Sequence, residues 1–303
     1  MKPVSAADAI VATGLTKRYG GTLALDGLDV SVAAGEVYGF LGPNGSGKTT
    51  AIRCLLGLHR PTAGSATLFG IDAWRDPVAA HRRVAYIAGE PALWPALTTE
   101  ETLEFLGRVS GGVDTDYRVV LLDRFHVEAT KKVRALSKGN RQKIQLVHAF
   151  STRADLLMLD EPTSGLDPLM EVAFRETVHE AKSRGQSVFL SSHILSEVEA
   201  LCDRVGILRA GRLVDEGTLV QLRHLHAQTI DVTFAGPVPD LGRLDNVVAS
   251  TLGANAMRFE VTGTVGPLLD DIAGHEVIAI AAREPSLEEV FLHHYGRGDG
   301  RPE

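Results

Sequence analysis

What most narrows the folds open to this chain is Gly42-Pro43-Asn44-Gly45-Ser46-Gly47-Lys48-Thr49, which fits the pattern G-x-x-x-x-G-K-[ST]. Before it comes Glu36-Val37-Tyr38-Gly39-Phe40-Leu41, an apolar run that reads as a buried strand. After it, Lys48 to Leu56 reads as a helix stopped by Gly57. Strand, glycine-rich turn and helix in that order make a cradle for phosphate. The glycines let consecutive backbone N–H groups turn inward, and the helix N-terminus adds the positive end of its dipole. Lys48 is expected to reach the outer phosphates and Thr49 to offer its hydroxyl to Mg2+, with Thr50 a further phosphate contact. A glycine-rich connector that merely links strand to helix is the plainer alternative, and it does not account for the full pattern in this setting.

A second apolar run, Leu156-Leu157-Met158-Leu159, ends in two carboxylates, Asp160 and Glu161. In open α/β folds the strands deliver their last residues to one sheet edge, where ligands bind. Asp160 is then expected to hold Mg2+ through water, and Glu161 to polarise an attacking water as general base. Taken alone, a strand ending in Asp-Glu is better read as a solvated acidic loop. The phosphate loop upstream reverses that preference.

Charge and composition exclude other classes. With 31 Lys and Arg against 38 Asp and Glu, the net charge is −7, which argues against a nucleic-acid partner. No apolar stretch approaches the roughly 18–20 residues of a membrane-spanning helix, and the start carries no secretory pattern. A cytosolic protein is expected. Cys54 and Cys202, the only cysteines, sit in apolar helical patterns and read as reduced, buried thiols.

From residue 8 to 217 short apolar runs, glycine-rich turns and helical patterns alternate, which predicts an α/β domain. After Gly217 the pattern changes. Strand-like runs at Thr229–Phe234, Asn246–Leu252, Met257–Val261 and Val277–Ile280 alternate with helix-like Pro267–Ala273 and Ser286–Tyr295. A small α+β domain over 218–303 is expected, and the ends before Asp8 and after Tyr295 read as loose.

The residues around the carboxylates carry a family resemblance. Leu136-Ser137-Lys138-Gly139-Asn140 resembles the signature LSGGQ of ABC proteins. Ser164-Gly165-Leu166-Asp167 resembles their D-loop, His193 in Leu190-Ser191-Ser192-His193 their H-loop histidine, and Tyr19 in Lys17-Arg18-Tyr19-Gly20 the aromatic that stacks on adenine. The six features stand in the family's order over about two-thirds of the chain. The resemblance implies a P-loop NTPase of the ABC nucleotide-binding type with ATP and Mg2+ as cofactors. It implies a homodimer, facing head to tail, that traps two ATP molecules between the phosphate loop of one copy and the signature of the other. Gly42, Pro43, Asn44, Gly45, Ser46, Gly47, Lys48, Thr49 and Thr50 would hold ATP in one copy; Ser137 and Gly139 would complete the site from the other. Asp167 would link the two sites, while Glu161, His193 and Lys48 carry hydrolysis.

Asn140 stands where glutamine is usual, keeping the amide one methylene shorter. In Val84-Ala85-Tyr86-Ile87-Ala88-Gly89-Glu90 the position expected to carry the Q-loop glutamine holds Gly89. Glu90 either takes over its Mg2+ or water contact or is simply exposed. Trp94 just beyond it is either an anchor for a membrane subunit or ordinary packing. The tail Glu284-Pro285-Ser286-Leu287-Glu288-Glu289-Val290-Phe291-Leu292 resembles that of ABC-2-type exporter ATPases of the drug- and antibiotic-export kind. That resemblance implies separately encoded permease subunits and peripheral attachment to the cytoplasmic face of the inner membrane. A non-transport ABC ATPase is the competing class, but its usual second ATPase domain, long coiled coil or zinc-binding cysteines are not visible in the sequence.

Overall fold

The structure, a computed structural model, describes residues 8–224, 228–239, 244, 246–283 and 286–296. Packing divides the chain into Met1–Glu216 and Gly217–Glu303. Apart from Gly296, the ends that the sequence reads as loose lie outside the described residues.

The first unit is built on a six-stranded sheet in the order Arg212–Thr218, Arg204–Arg209, Val37–Leu41, Ser187–Ser192, Leu156–Asp160, Val84–Ile87. Every residue of Val37–Leu41, Leu156–Asp160 and Ser187–Ser192 is buried, so these strands read as unbroken rather than alternating runs. Their pairing is parallel: Leu41 lies opposite Ser192, Asp160 opposite Ser191, and Ile87 opposite Leu159. Four strands therefore end at one edge of the sheet. The phosphate loop, Gly89-Glu90, Glu161 and His193 all leave from that edge.

A second, antiparallel sheet runs in the order Thr22–Ala33, Asp8–Tyr19, Ala63–Leu68, Ile71–Asp72. Its inner residues Ile10, Leu15, Leu25 and Val32 pack into one core with Phe40, Ile52 and Leu55 of the strand and helix around the phosphate loop. The sequence reading did not single out this long hairpin. Its alternation is broken by bulges, with Gly14 and Gly27 in the left-handed region at φ 57° and 66°.

Helix Lys48–Leu55 follows the phosphate loop, and helix Thr99–Val109 opens with a capping box between Thr98 and Glu101. Helix Lys138–Ser151 packs on Thr99–Val109 and on Thr115–Arg124. Cys54 and Cys202 are free and buried.

The second unit holds an antiparallel sheet ordered Val247–Thr251, Ala256–Val261, Gln228–Phe234, Val277–Arg283. Ile230, Val232, Phe234, Phe259 and Val261 on one face pack against Leu268 and Ile272 of helix Gly266–Ile272. Helix Leu287–Gly296 is entered through Ser286, whose Oγ accepts from Glu289 N at 3.2 Å while Glu289 Oε2 accepts from Ser286 N at 2.8 Å. Of the tail motif, Glu284 and Pro285 and the Leu292 side chain lie outside the described residues. Among the described residues no helix is long and apolar enough to cross a membrane.

Candidate nucleotide-binding site

The phosphate loop is shaped by what its glycines leave out. A Cβ on Gly42 would run into Ser46 Oγ and lie 2.7 Å from the Leu208 carbonyl, and one on Gly47 would lie 2.6 Å from the Ala24 carbonyl. Gly45 and Gly47 hold φ of 82° and 112°, which L side chains avoid. The turn can form only with glycine at these places, and it leaves the first turn of helix Lys48–Leu55 without a side-chain cap. Ser46 Oγ is buried with no partner in the protein. Lys48 is also buried, and its Nζ donates to the carbonyls of Gly42 at 2.6 Å and Pro43 at 3.2 Å.

Asp160 and Glu161 follow each other, yet both line one groove, of about 360 Å3, with Asn44, Thr49, Arg53 and Glu90. Successive residues of a strand point to opposite faces. Glu161 escapes this alternation because its backbone is left-handed, at φ 48°. Such a conformation costs on the order of 1–3 kcal/mol, and it is held by Glu161 N donating to Ser191 O and Ser164 N donating to Glu161 O, at 2.9 and 3.1 Å. Glu161 Oε1 lies 3.4 Å from Lys48 Nζ and 3.2 Å from His193 Nδ1.

Burial pushes the Asp160 carboxyl above the usual carboxylate range, with Glu161 adding to the shift. Hydrogen bonds from Thr49 and Ser191, together with the Lys48 charge, act in the opposite direction; the Ser191 Oγ contact is 3.0 Å. Ser191 and Arg53 are parts of the site that sequence reasoning passed over. A polar residue inside the buried run Phe189-Leu190-Ser191 was the available signal for the first. Nothing local marked the second.

A neighbouring groove of about 450 Å3 is lined by Thr22, Leu23, Asn44, Lys48, Thr50 and Gly211. Tyr19 stands at the end of its strand beside this groove, 43% exposed. Its hydroxyl meets His59 Nδ1 at 2.5 Å.

The other expected residues lie elsewhere. Ser137 caps helix Lys138–Ser151, accepting from Asn140 N at 3.2 Å, and Asp167 caps Pro168–Ser183, accepting from Met170 N at 3.0 Å. A Cβ on Gly139 would run into the Gly165 carbonyl, and Lys138 Nζ donates to Ser164 Oγ at 3.1 Å. The signature and the D-loop-like turn thus form one packed surface, of which Lys138 and Ser164 line the 360 Å3 groove with Asp160 and Glu161. Trp94 is 47% exposed and packs edge-on against Phe105, with centroids 4.7 Å apart.

These features fit a nucleoside polyphosphate with Mg2+. The loop admits no Cβ where phosphate must approach, and it offers a buried hydroxyl and an ammonium. Among the described residues no group of three or more His, Cys, Asp or Glu is placed to hold a metal ion. Thr49 and Asp160 on one groove fit Mg2+, which takes one or two carboxylates and completes its shell with phosphate oxygens and water.

Residues 25–164 match the ABC transporter family. The chain is 38% identical to the daunorubicin resistance ATP-binding protein DrrA3 of Streptomyces coeruleorubidus over 301 residues, covering 94% of this chain and 95% of that one. It is 40% identical to the bacitracin transport ATP-binding protein BcrA of Bacillus licheniformis, covering 68% and 69%. To the Nod factor export ATP-binding protein I of Burkholderia lata it is 34% identical, covering 93% and 95%. Among solved structures, the ATP-binding subunit of an ABC transporter superposes with a TM-score of 0.67 at 33% identity, covering 71% of this chain and 92% of that one. A dimeric bacterial ABC transporter cassette, at 22% identity and a TM-score of 0.63 over 69% and 98% of the two chains, shares the fold. The chain belongs to the ABC transporter family, as an ATP-binding and ATP-hydrolysing protein.

Proposed function

We propose that this protein energises export through separately encoded membrane-spanning subunits, acting as a pair of copies attached peripherally to the cytoplasmic face of the inner membrane. The observation that carries this reading is likeness across both units, 94% of the chain, to an ATP-binding protein named for daunorubicin resistance. Relatives named for bacitracin transport and Nod factor export point the same way. Drugs or antibiotics are the substrate class we infer.

Each copy uses its phosphate loop, Gly42 to Thr50, for the phosphates of ATP and Tyr19 for the adenine. Lys48 meets the outer phosphates from its place on the Gly42 and Pro43 carbonyls. Thr49 and Asp160 hold Mg2+, which when bound offsets phosphate charge, and Glu90 on the same groove is the candidate for the missing Q-loop side chain. Glu161 takes a proton from the attacking water, and His193 keeps the carboxylate in place while facing the outermost phosphate. Ser137 and Gly139 present the N-terminus of a helix to the phosphate held by the partner copy. Asp167, which starts the next helix from the same surface, links the two sites. Trp94, half exposed beside Glu90, is an anchor for the membrane subunit. The unit 218–303 is assigned no step in this chemistry and serves as an accessory domain.

Capture from native membranes tests this reading. Tagged Glu161→Gln protein, purified with ATP, is expected to bring down a polytopic membrane protein in about equal amount. Recovery of ribosomes, DNA-bound proteins or only a soluble dimer would sink it.

A further inference from the structure

His193 reaches Glu161 with a side chain that is 48% exposed. A ring so open to solvent is not held by packing, so its position depends on the backbone that carries it. That backbone is tied on both sides. Ser192 Oγ accepts from Ile194 N at 3.0 Å and donates to Glu197 Oε2 at 2.5 Å. The bonds run from the residue after His193 to the residue before it, and end on Glu197.

Glu197 is an odd residue to find there. It sits in the first turn of helix Leu195–Leu201 and is only 7% exposed. Burial pushes its carboxyl above the usual range, and the hydrogen bond from Ser192 opposes the shift, while the other carboxylate oxygen, Oε1, is buried with no hydrogen-bond partner. Glu171 raises it further and His193 lowers it. Glu171 and Arg175 share with it a cavity of about 30 Å3. A carboxyl that only capped the helix would do so at the surface, accepting from a backbone N–H and remaining hydrated. This one is buried, reaches the cap through a hydroxyl, and lines one cavity with Thr163.

Thr163 is the second point of the argument. It is 5% exposed and lies just after Glu161, in the turn closed by Ser164 N donating to Glu161 O and Leu166 N donating to Thr163 O. One buried carboxyl therefore bonds the segment carrying His193 and shares its cavity with Thr163 of the segment carrying Glu161. Those are the two side chains that meet at 3.2 Å.

We propose that Glu197 is a positioning residue for ATP hydrolysis, fixing the His193 loop through Ser192 beside the Glu161 turn. The proposal rests on the reading of His193 and Glu161 as hydrolytic residues, and it adds a third residue that lines neither of the two grooves at the phosphate loop. Its effect must pass through His193.

The test is a mutant cycle on the full chain, read as steady-state phosphate release. Glu197→Ala is expected to lower kcat about tenfold or more while KM for ATP changes by less than about twofold, because the phosphate loop is untouched. Glu197→Gln can still accept the Ser192 hydroxyl and is expected to recover most of the rate. Ser192→Ala, a smaller change that removes only the relay, should slow turnover by several-fold, about threefold or more, and it keeps the test open if Glu197→Ala does not fold. In the His193→Ala background, Glu197→Ala should add no further loss. Full additivity beside a slow His193→Ala overturns the inference alone, as does a wild-type rate from Ser192→Ala or Glu197→Ala. A wild-type rate from His193→Ala removes the underlying reading as well.

Discussion

Lys48 Nζ lies 3.4 Å from Glu161 Oε1, so the helix after the phosphate loop and the strand ending in carboxylates meet through one charged pair. Lys48 is 5% exposed and Glu161 25%, so the pair is screened from water mainly on the lysine side. The same carboxylate oxygen faces His193. A carboxyl, an imidazole and an ammonium from three separate segments thus share one point at the sheet edge.

Lys48→Ala removes a buried ammonium from the mouth of the phosphate loop. ATP hydrolysis should fall more than about 100-fold, the scale for loss of one preorganised electrostatic contact. Phosphate release measured on the purified variant checks this. Turnover near the wild-type rate would mean the cradle is not the hydrolytic site.

Glu161→Gln keeps the side chain's shape while removing its capacity to take a proton. The variant should bind ATP and hydrolyse it at least about 100-fold more slowly. With the nucleotide retained, closed pairs of the chain should accumulate. Light scattering with and without ATP reads this directly; a monomer in both conditions would count against the two-copy arrangement.

Gly139→Ala places a methyl group against the Gly165 carbonyl, where there is no room for it. The signature surface must shift, while the Lys48 cradle is left as it is. ATP affinity of the single chain should change by less than about twofold, and turnover should fall about tenfold or more. A parallel loss of nucleotide affinity would show that the two surfaces are not separable.

Asp160→Asn separates stability from function. Burial raises the carboxyl pKa in the folded chain, so the folded state binds the proton more readily than the unfolded one. The stability this brings is fully present below the unfolded pKa and is lost as pH rises through the folded value. At neutral pH the ionised side chain therefore opposes folding. The asparagine variant, measured without nucleotide or Mg2+, should melt at a higher temperature than wild type at pH 7. That advantage should fade toward roughly pH 4, near the ordinary aspartate range. Its Mg2+-dependent hydrolysis should be lost. A lower melting temperature at pH 7 would contradict the assigned direction of the shift.

Much of the site was legible because its signals are local. Glycine spacing from Gly42 to Gly47 and the unbroken apolar runs at 37–41 and 156–159 each act over a few residues. Chain geometry over that distance permits few alternatives. The long hairpin of Asp8–Tyr19 and Thr22–Ala33 was less legible, because glycine bulges break the alternation that would have marked it. Ser191 and Arg53 were passed over because their partners are distant in the chain.

The sequence by itself determined the family, the phosphate loop and the order of the motifs, all of which depend on residue identity at short spacing. Only the tertiary structure decided which side chains meet. Parallel pairing over long separations brings Leu41, Ile87, Asp160 and Ser192 to one edge. A left-handed turn at Glu161 then brings its carboxylate to Lys48 and His193. Burial, which no single segment contains, raises the Asp160 carboxyl above its usual range and takes Glu197 out of solvent against Ser192. These are properties of neighbours in space, and neighbours in space are chosen by packing of the whole domain.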